Sequence, residues 1–321
     1  MKFVFRADAS ASKGVGHVMR LLPLAQEIIK RGHTAYFVGE ISEVAWLSEK
    51  IELIGFEGVL DSPGDFIFSP RHDVLVLDSY MIALDENFVQ KKLWKYMVVV
   101  ADELTPHYEA DLVIHPGVGG KWVESWSQTV LHGFDYVLIR DSLLNLGKKS
   151  SEIVRPTFIV LPGGTDAFGV SGLIVMALAT LDLDFECYVP ETAISQISDS
   201  RFKGFPLGNS MEKLLSLCTG VFATASTVSL EMIALRIPLA ILSLTDNQND
   251  YYDSLTGKGL AAPLGKFKTN ATLTINSDVL EQFVKSNLKD FAEAQSSKPL
   301  IDGLGAQRVT SEILSRLYSL I

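Results

Sequence analysis

The chain has 321 residues, 47% of them apolar and 21% charged, with a net charge of −10 at pH 7. That length suits two domains with separate cores. The acidic balance, without any basic run, excludes a nucleic-acid or anionic-membrane surface, because phosphate binding needs clustered Lys and Arg.

Met1 leads straight into the strand pattern KFVFRA, so no signal peptide is expected. HVMRLLPLAQEIIKRG follows as an amphipathic helix ending at Gly32, and HTAYFVG as the next strand. DVLVLDS, YMVVVAD and ADLVIHP are short and continuously apolar, the pattern of parallel strands covered on both faces. GFDYVLIRD reads as a strand or connector closing this half. The polar, lysine-rich stretch LGKKSSEIVRP reads as a linker, and the pattern then restarts. TFIVLPGG, FECYVP, GVFATAS and PLAILSL are strands, alternating with the helices VSGLIVMALATL, MEKLLSLCT and TVSLEMIALR. This alternation predicts an α/β protein of two doubly wound domains, residues 1–147 and 148–321. The tail GAQRVTSEILSRLYSLI is a helix that packs on either half, the N-terminal one included. Apolar runs such as VSLEMIALRIPLAILSL are broken by Glu231, Arg236 and Pro238, so no membrane span is expected. Cys187 and Cys218 lie far apart in apolar surroundings and read as buried thiols of a cytoplasmic chain, not as a disulfide or zinc site.

The first strand–turn–helix, FRADASASKGVGHVMR, carries the sharpest chemical signal. Gly14 and Gly16 allow a tight turn and close backbone approach, and His17 follows at once. The third glycine of a dinucleotide fingerprint is missing. Beside a helix N-terminus an imidazole is favoured in its neutral form, which a general base requires. The plainer reading is that His17 merely occupies a turn. Asp8, at the end of the first strand, could orient His17 or hold a sugar hydroxyl; Arg6 and Arg20 read as structural ion-pair partners. Asp78 and Tyr80 in VLDSY, and Asp102 and Glu103 in VVVADE, end neighbouring strands and favour a hydroxyl-rich ligand. In the second half, Gly163, Gly164 and Thr165 of LPGGTD can turn amides toward an anion. Ser226 and Thr227 open a helix with Glu231 one turn in, a pattern suited to a diphosphate and a ribose. His33, His72, His107, His115 and His132 show no metal spacing.

These stretches together resemble a known family, the UDP-2,4-diacetamido-2,4,6-trideoxy-β-L-altropyranose hydrolases of pseudaminic acid biosynthesis, relatives of the lipid II-forming N-acetylglucosaminyltransferase. The likeness runs from FRADAS…GVGHVMR through LDSY, ADE and GFDYVLIR to GGTD, TASTVSLEMIAL, DNQ and DGLGAQRV. It departs from the family in the AFG that follows GGTD and in Pro162, where methionine is usual. The resemblance implies a glycosyltransferase-B fold with two domains facing a cleft, and an inverting hydrolase. His17 would be the base on the attacking water, with Asp8, Tyr80 and Asp78 as candidates to place the sugar or the water. UDP would lie on the C-terminal domain at Gly163, Gly164, Thr165, Ser226, Thr227, Glu231, Asn247 and Gln248. No metal or other cofactor is implied. A glycosyltransferase of the same fold and a non-catalytic sugar-nucleotide module are the two rival readings.

Overall fold

The structure is a computed structural model. It describes residues 1–62, 72–79, 82, 87–101, 108–117, 129–146, 155–195, 197–208, 211–269, 272–286 and 300–319. The chain divides into two compact units, Met1–Arg140 together with Asp302–Ile321, and Asp141–Ile301.

In the first unit the elements run β1 (Lys2–Arg6), β2 (Ala9–Ser10), α1 (Gly16–Lys30), β3 (Thr34–Val38), β4 (Ile41–Ser42) and α2 (Ala45–Ile54). They continue with β5 (Gly58–Leu60), β6 (Val74–Leu77), β7 (Tyr96–Val100), β8 (Leu112–His115) and β9 (Val130–His132). Among the described residues the main sheet has the order β5-β3-β1-β6-β7-β8-β9, every pair parallel. Its central strands are buried along their length because helices and loops cover both faces. GFDYVLIRD does not join the sheet: Phe134–Tyr136 form a 3-10 turn and Val137–Arg140 run on, buried but unladdered. The edge strands β5 and β9 were not legible as strands, being three residues long and partly exposed.

The second unit runs α3 (Asp141–Leu144), β10 (Thr157–Leu161), α4 (Val170–Ala179), β11 (Glu186–Pro190), α5 (Glu191–Ile194), β12 (Phe202–Phe205) and α6 (Met211–Leu215). It continues with β13 (Gly220–Thr224), α7 (Thr227–Ala234), β14 (Leu239–Leu242), α8 (Asp246–Gly257), β15 (Ala262–Gly265) and α9 (Ser277–Lys285). Its sheet order is β12-β11-β10-β13-β14-β15, again all parallel. Arg201 closes the carboxyl end of α4, donating to the carbonyls of Ala179 at 3.1 Å, Leu181 at 2.5 Å and Leu183 at 3.1 Å. Helix ends leave carbonyls such as that of Ala179 without intrahelical donors, and the same planar fork ties the Leu181 and Leu183 carbonyls of the following loop to it.

The chain then returns to the first unit as α10 (Gly305–Ser319), which packs along α1. Its Ala306, Val309, Ile313, Leu314 and Leu317 join the same core as Val18, Leu21, Leu22 and Ile28 of α1. At the end of that contact Arg31 donates to Ser311 Oγ at 2.9 Å and to the Gln307 carbonyl at 3.1 Å. Among the described residues no helix is long and apolar enough to cross a membrane.

Candidate active site

Among the described residues, each of the two large sheets has one place where the chain reverses its direction of growth. In the first unit the chain moves outward from β1 to β3 and β5, and later returns to lay β6 against the other side of β1. Ligands of open α/β sheets collect outside the carboxyl ends of strands at this kind of switch point. The residues leaving β1 and β6 meet there. The Asp78 N–H donates to the Arg6 carbonyl at 3.0 Å, which seats Asp78 directly at the end of β6 beside β1.

On the β1 side the chain makes a closed turn before α1. The Gly14 N–H donates to the Ser10 carbonyl at 2.9 Å, and the Lys13 N–H to Ser10 Oγ at 3.0 Å. Gly14 sits at φ +83°, left-handed backbone that a side chain would strain. Gly16 then starts α1, and His17 is its second residue. Val15 supplies no side-chain cap and the first turn holds no acidic residue, so the positive end of the helix is not neutralised by its own sequence.

The result is a buried three-residue cluster. His17 Nδ1 lies 2.5 Å from Asp78 Oδ1. Arg20, one turn after His17 on the same face of α1, donates from Nη2 to Asp78 Oδ1 at 2.6 Å and from Nε to Asp78 Oδ2. Asp78 is fully buried and Arg20 is 3% exposed, while the His17 side chain keeps 23% of its surface. A carboxylate buried this deeply requires a paired cation, and the two-point guanidinium fork supplies one. An ionised carboxylate only accepts hydrogen bonds, so the proton between the pair belongs to His17 Nδ1 and the basic nitrogen is Nε2.

Asp8 stands elsewhere. Its Oδ1 accepts from Arg6 and, at 2.9 Å, from the Glu40 N–H, tying the exits of β1 and β3 together. The carboxylate that orients His17 is therefore Asp78 and not Asp8. Asp78 in turn has both oxygens engaged by protein donors, which suits holding the base better than holding a sugar or water. Tyr80, Asp102 and Glu103 lie outside the described residues.

The second sheet reverses between β10 and β13, and the predicted anion-binding stretches flank that point. Gly163 leaves β10 at φ +120°. Ser226 leaves β13 and precedes Thr227, the first residue of α7. Thr224 joins the two exits: its Oγ1 donates to the Pro162 carbonyl at 3.4 Å and lies 3.0 Å from Ser226 Oγ. Gly164 and Thr165 follow Gly163 in the same partly exposed turn. Glu231 is buried one turn into α7. At the start of α8, Gln248 Oε1 accepts from the Leu244 N–H at 2.9 Å and Asn247 Oδ1 from the Thr245 hydroxyl at 2.5 Å. The neighbouring Asn249, not singled out from the sequence, accepts from Ser243 Oγ at 2.7 Å and steadies the same loop.

The aspartate of GGTD faces its own helix. Asp166 Oδ1 accepts from the Ser171 N–H at 3.4 Å, covering the start of α4. Burial raises its carboxyl above the ordinary value, and its bonds from Ser171 and Val170 oppose that only in part. The unfolded chain therefore gives up this proton at lower pH than the folded one, so stability falls as pH rises from the ordinary carboxylate value through the raised one. Asp166→Asn keeps an acceptor that never ionises and should remove this slope. Urea unfolding at a series of pH values across the window checks it, and an unchanged slope would count against the assignment.

No protein-family model matches the chain. A curated relative, the UDP-2,4-diacetamido-2,4,6-trideoxy-beta-L-altropyranose hydrolase of Campylobacter jejuni, is 24% identical over 206 residues, covering 62% of this chain and 70% of its own. Among solved structures, MurG of Acinetobacter baumannii aligns over 98% of this chain and 100% of its own, with a TM-score of 0.62 and 13% identity. A UDP-N-acetylglucosamine 2-epimerase from Listeria monocytogenes, described as putative, aligns over 99% and 97%, with a TM-score of 0.61 and 13% identity. The fold is glycosyltransferase-B, and the chain resembles the hydrolase family.

On this glycosyltransferase-B fold Arg20 is an ion-pair partner, as read from the sequence, and the carboxylate it pairs with is Asp78. The i,i+3 spacing in GHVMR puts Arg20 on the same helix face as His17, and that signal was present in the sequence. What the spacing alone does not supply is Asp78, which reaches the pair only because β6 is laid beside β1.

Proposed function

We propose that the chain is a UDP-sugar hydrolase that releases UDP from a UDP-linked diacetamido-trideoxyhexose, a step of pseudaminic acid-type nonulosonate biosynthesis. The observation that carries this reading is the His17–Asp78 pair at the switch point of the first sheet. The pair orients the imidazole with Nδ1 toward the carboxylate, so that Nε2 is the nitrogen assigned to an attacking water about 3 Å away.

In the proposed reaction Nε2 takes a proton from the water as its oxygen bonds to the anomeric carbon. The bond from that carbon to the diphosphate oxygen breaks on the opposite face, and its electron pair leaves with UDP. The sugar is released with inverted configuration. The departing charge is met by amides at Gly163, Gly164 and Thr165 and by the opening of α7 at Ser226 and Thr227. Glu231 is assigned to the ribose hydroxyls and Asn247 and Gln248 to the nucleotide. Tyr80 is the proposed contact to the sugar. The hydrolase of Campylobacter jejuni supports the reaction class, and the GVGHVMR, GGTD and TASTVS stretches support its placement on this chain.

His17→Ala should abolish UDP release while leaving UDP binding intact, as read by a turnover assay beside calorimetry with UDP. Near-normal turnover in the variant would sink the assignment. A glycosyltransferase on the same fold would put an acceptor hydroxyl in place of water. Free sugar and UDP formed without any acceptor separate the two reactions.

A further inference from the structure

Arg20 has a choice of partners. Its Nη2 lies 2.6 Å from Asp78 Oδ1 and 3.4 Å from His17 Nδ1, so it can serve the carboxylate or the imidazole. The two options have opposite chemical consequences. Donated to Nδ1, an Arg20 proton would make that nitrogen the acceptor and drive the imidazole proton to Nε2, and a protonated Nε2 cannot take a proton from water. Donated to Asp78, the guanidinium holds the carboxylate plane at two points and leaves Oδ1 to accept from Nδ1. The distances decide for the second arrangement, in which the His17–Asp78 contact is 2.5 Å.

We infer that Arg20 is a positioning residue, which clamps Asp78 so that the proton of His17 stays on Nδ1. This rests on the reading of His17 as the base. The clamp needs the fork as well as the charge. An ammonium in its place would bind one oxygen at a time and let the carboxylate turn, whereas the guanidinium fixes both oxygens in one plane. Burial of Asp78 and Arg20 keeps water from substituting for either.

The test reads the proton directly. Protein labelled with 15N in histidine reports the tautomer through its ring nitrogens, with the His17 signals identified by their loss in His17→Gln. Above the titration of histidine, wild type should show Nδ1 protonated and Nε2 bare. Arg20→Lys should move those signals toward a mixture of tautomers and lower kcat for UDP release by about tenfold, with KM changed by less than about twofold. A wild-type imidazole protonated on Nε2 would overturn the inference, with no need for the variant to fold. So would Arg20→Lys with unchanged nitrogen shifts, or with kcat untouched. If wild type releases UDP from no candidate sugar, the hydrolase reading fails, and the nitrogen signals still decide the role of Arg20.

Discussion

Asp78→Asn is expected to lower kcat for UDP release by on the order of 10³- to 10⁴-fold, the scale seen when an imidazole base is held in the wrong tautomer. The wild-type carboxylate accepts from His17 and Arg20 at Oδ1 and from Arg20 at Oδ2. An amide has one oxygen and one NH₂ group, so either orientation sets N–H against N–H. With its oxygen toward Arg20 Nε, it presents a donor to Nδ1, and the proton is driven onto Nε2. The other orientation opposes the Arg20 Nε–H, and the clamp opens. Because Arg20 is then buried without its full counter-charge, the variant should also lose about 3–5 kcal/mol of stability. Turnover must therefore be measured well below its unfolding transition, with UDP binding as the check that the second unit is intact. The double variant His17→Ala/Asp78→Asn should be no slower than His17→Ala alone, since the carboxylate acts only through the imidazole. An Asp78→Asn protein with near-wild-type kcat would remove Asp78 from the mechanism.

The central strands were readable because a strand covered on both faces must be apolar throughout, as VLVL of β6 and LAIL of β14 are. The edges were not. FKGF of β12 is buried only at its two ends, and APLG of β15 carries a proline and a glycine, so neither stands out from a loop. GFDYVLIRD was left open between strand and connector for a related reason: apolar content reports burial, and Val137–Ile139 are buried without a ladder partner. At the site, the glycine turn before His17 was legible because a left-handed residue and a helix start leave a local mark. Asp78 was legible only as an acid at a strand end. Its partnership with His17 spans 61 residues and depends on which strand lies beside β1, a property of sheet order that no local pattern encodes. Asp8, two residues past β1 and nearer His17 in sequence, was open to orienting His17 or holding a sugar hydroxyl, and its carboxylate instead bonds Arg6 and the Glu40 N–H.

Gly305→Ala should cost the first unit about 2–4 kcal/mol, the scale of a core position where the backbone must move. A Cβ at Gly305 would lie 2.1 Å from the Val137 carbonyl oxygen, 2.8 Å from the Val137 carbonyl carbon and 2.9 Å from the Tyr136 carbonyl carbon. All three are backbone atoms, so no rotamer change relieves the clash, and the start of α10 must lift. That start is held firmly. Arg308 donates to Asp302 Oδ1 at 2.8 Å and to the Asp135 carbonyl at 3.1 Å, and the Leu304 N–H donates to Asp302 Oδ1 at 3.0 Å. Lifting α10 also loosens Val309, Ile313 and Leu317, each fully buried and each contributing about 1.5–3 kcal/mol where its burial is complete. The clash is local to the first unit, whereas the proposed UDP contacts belong to the second. Urea unfolding should therefore show the loss while calorimetry with UDP stays near wild type. Gly257→Ala is the matched control: it lies at the end of α8, where a Cβ would meet nothing within 4 Å, and should be neutral to slightly stabilising. A Gly305→Ala protein as stable as that control would mean that α10 can slide along Val137 at no cost, and that the close approach is incidental to holding the chain's return to α1.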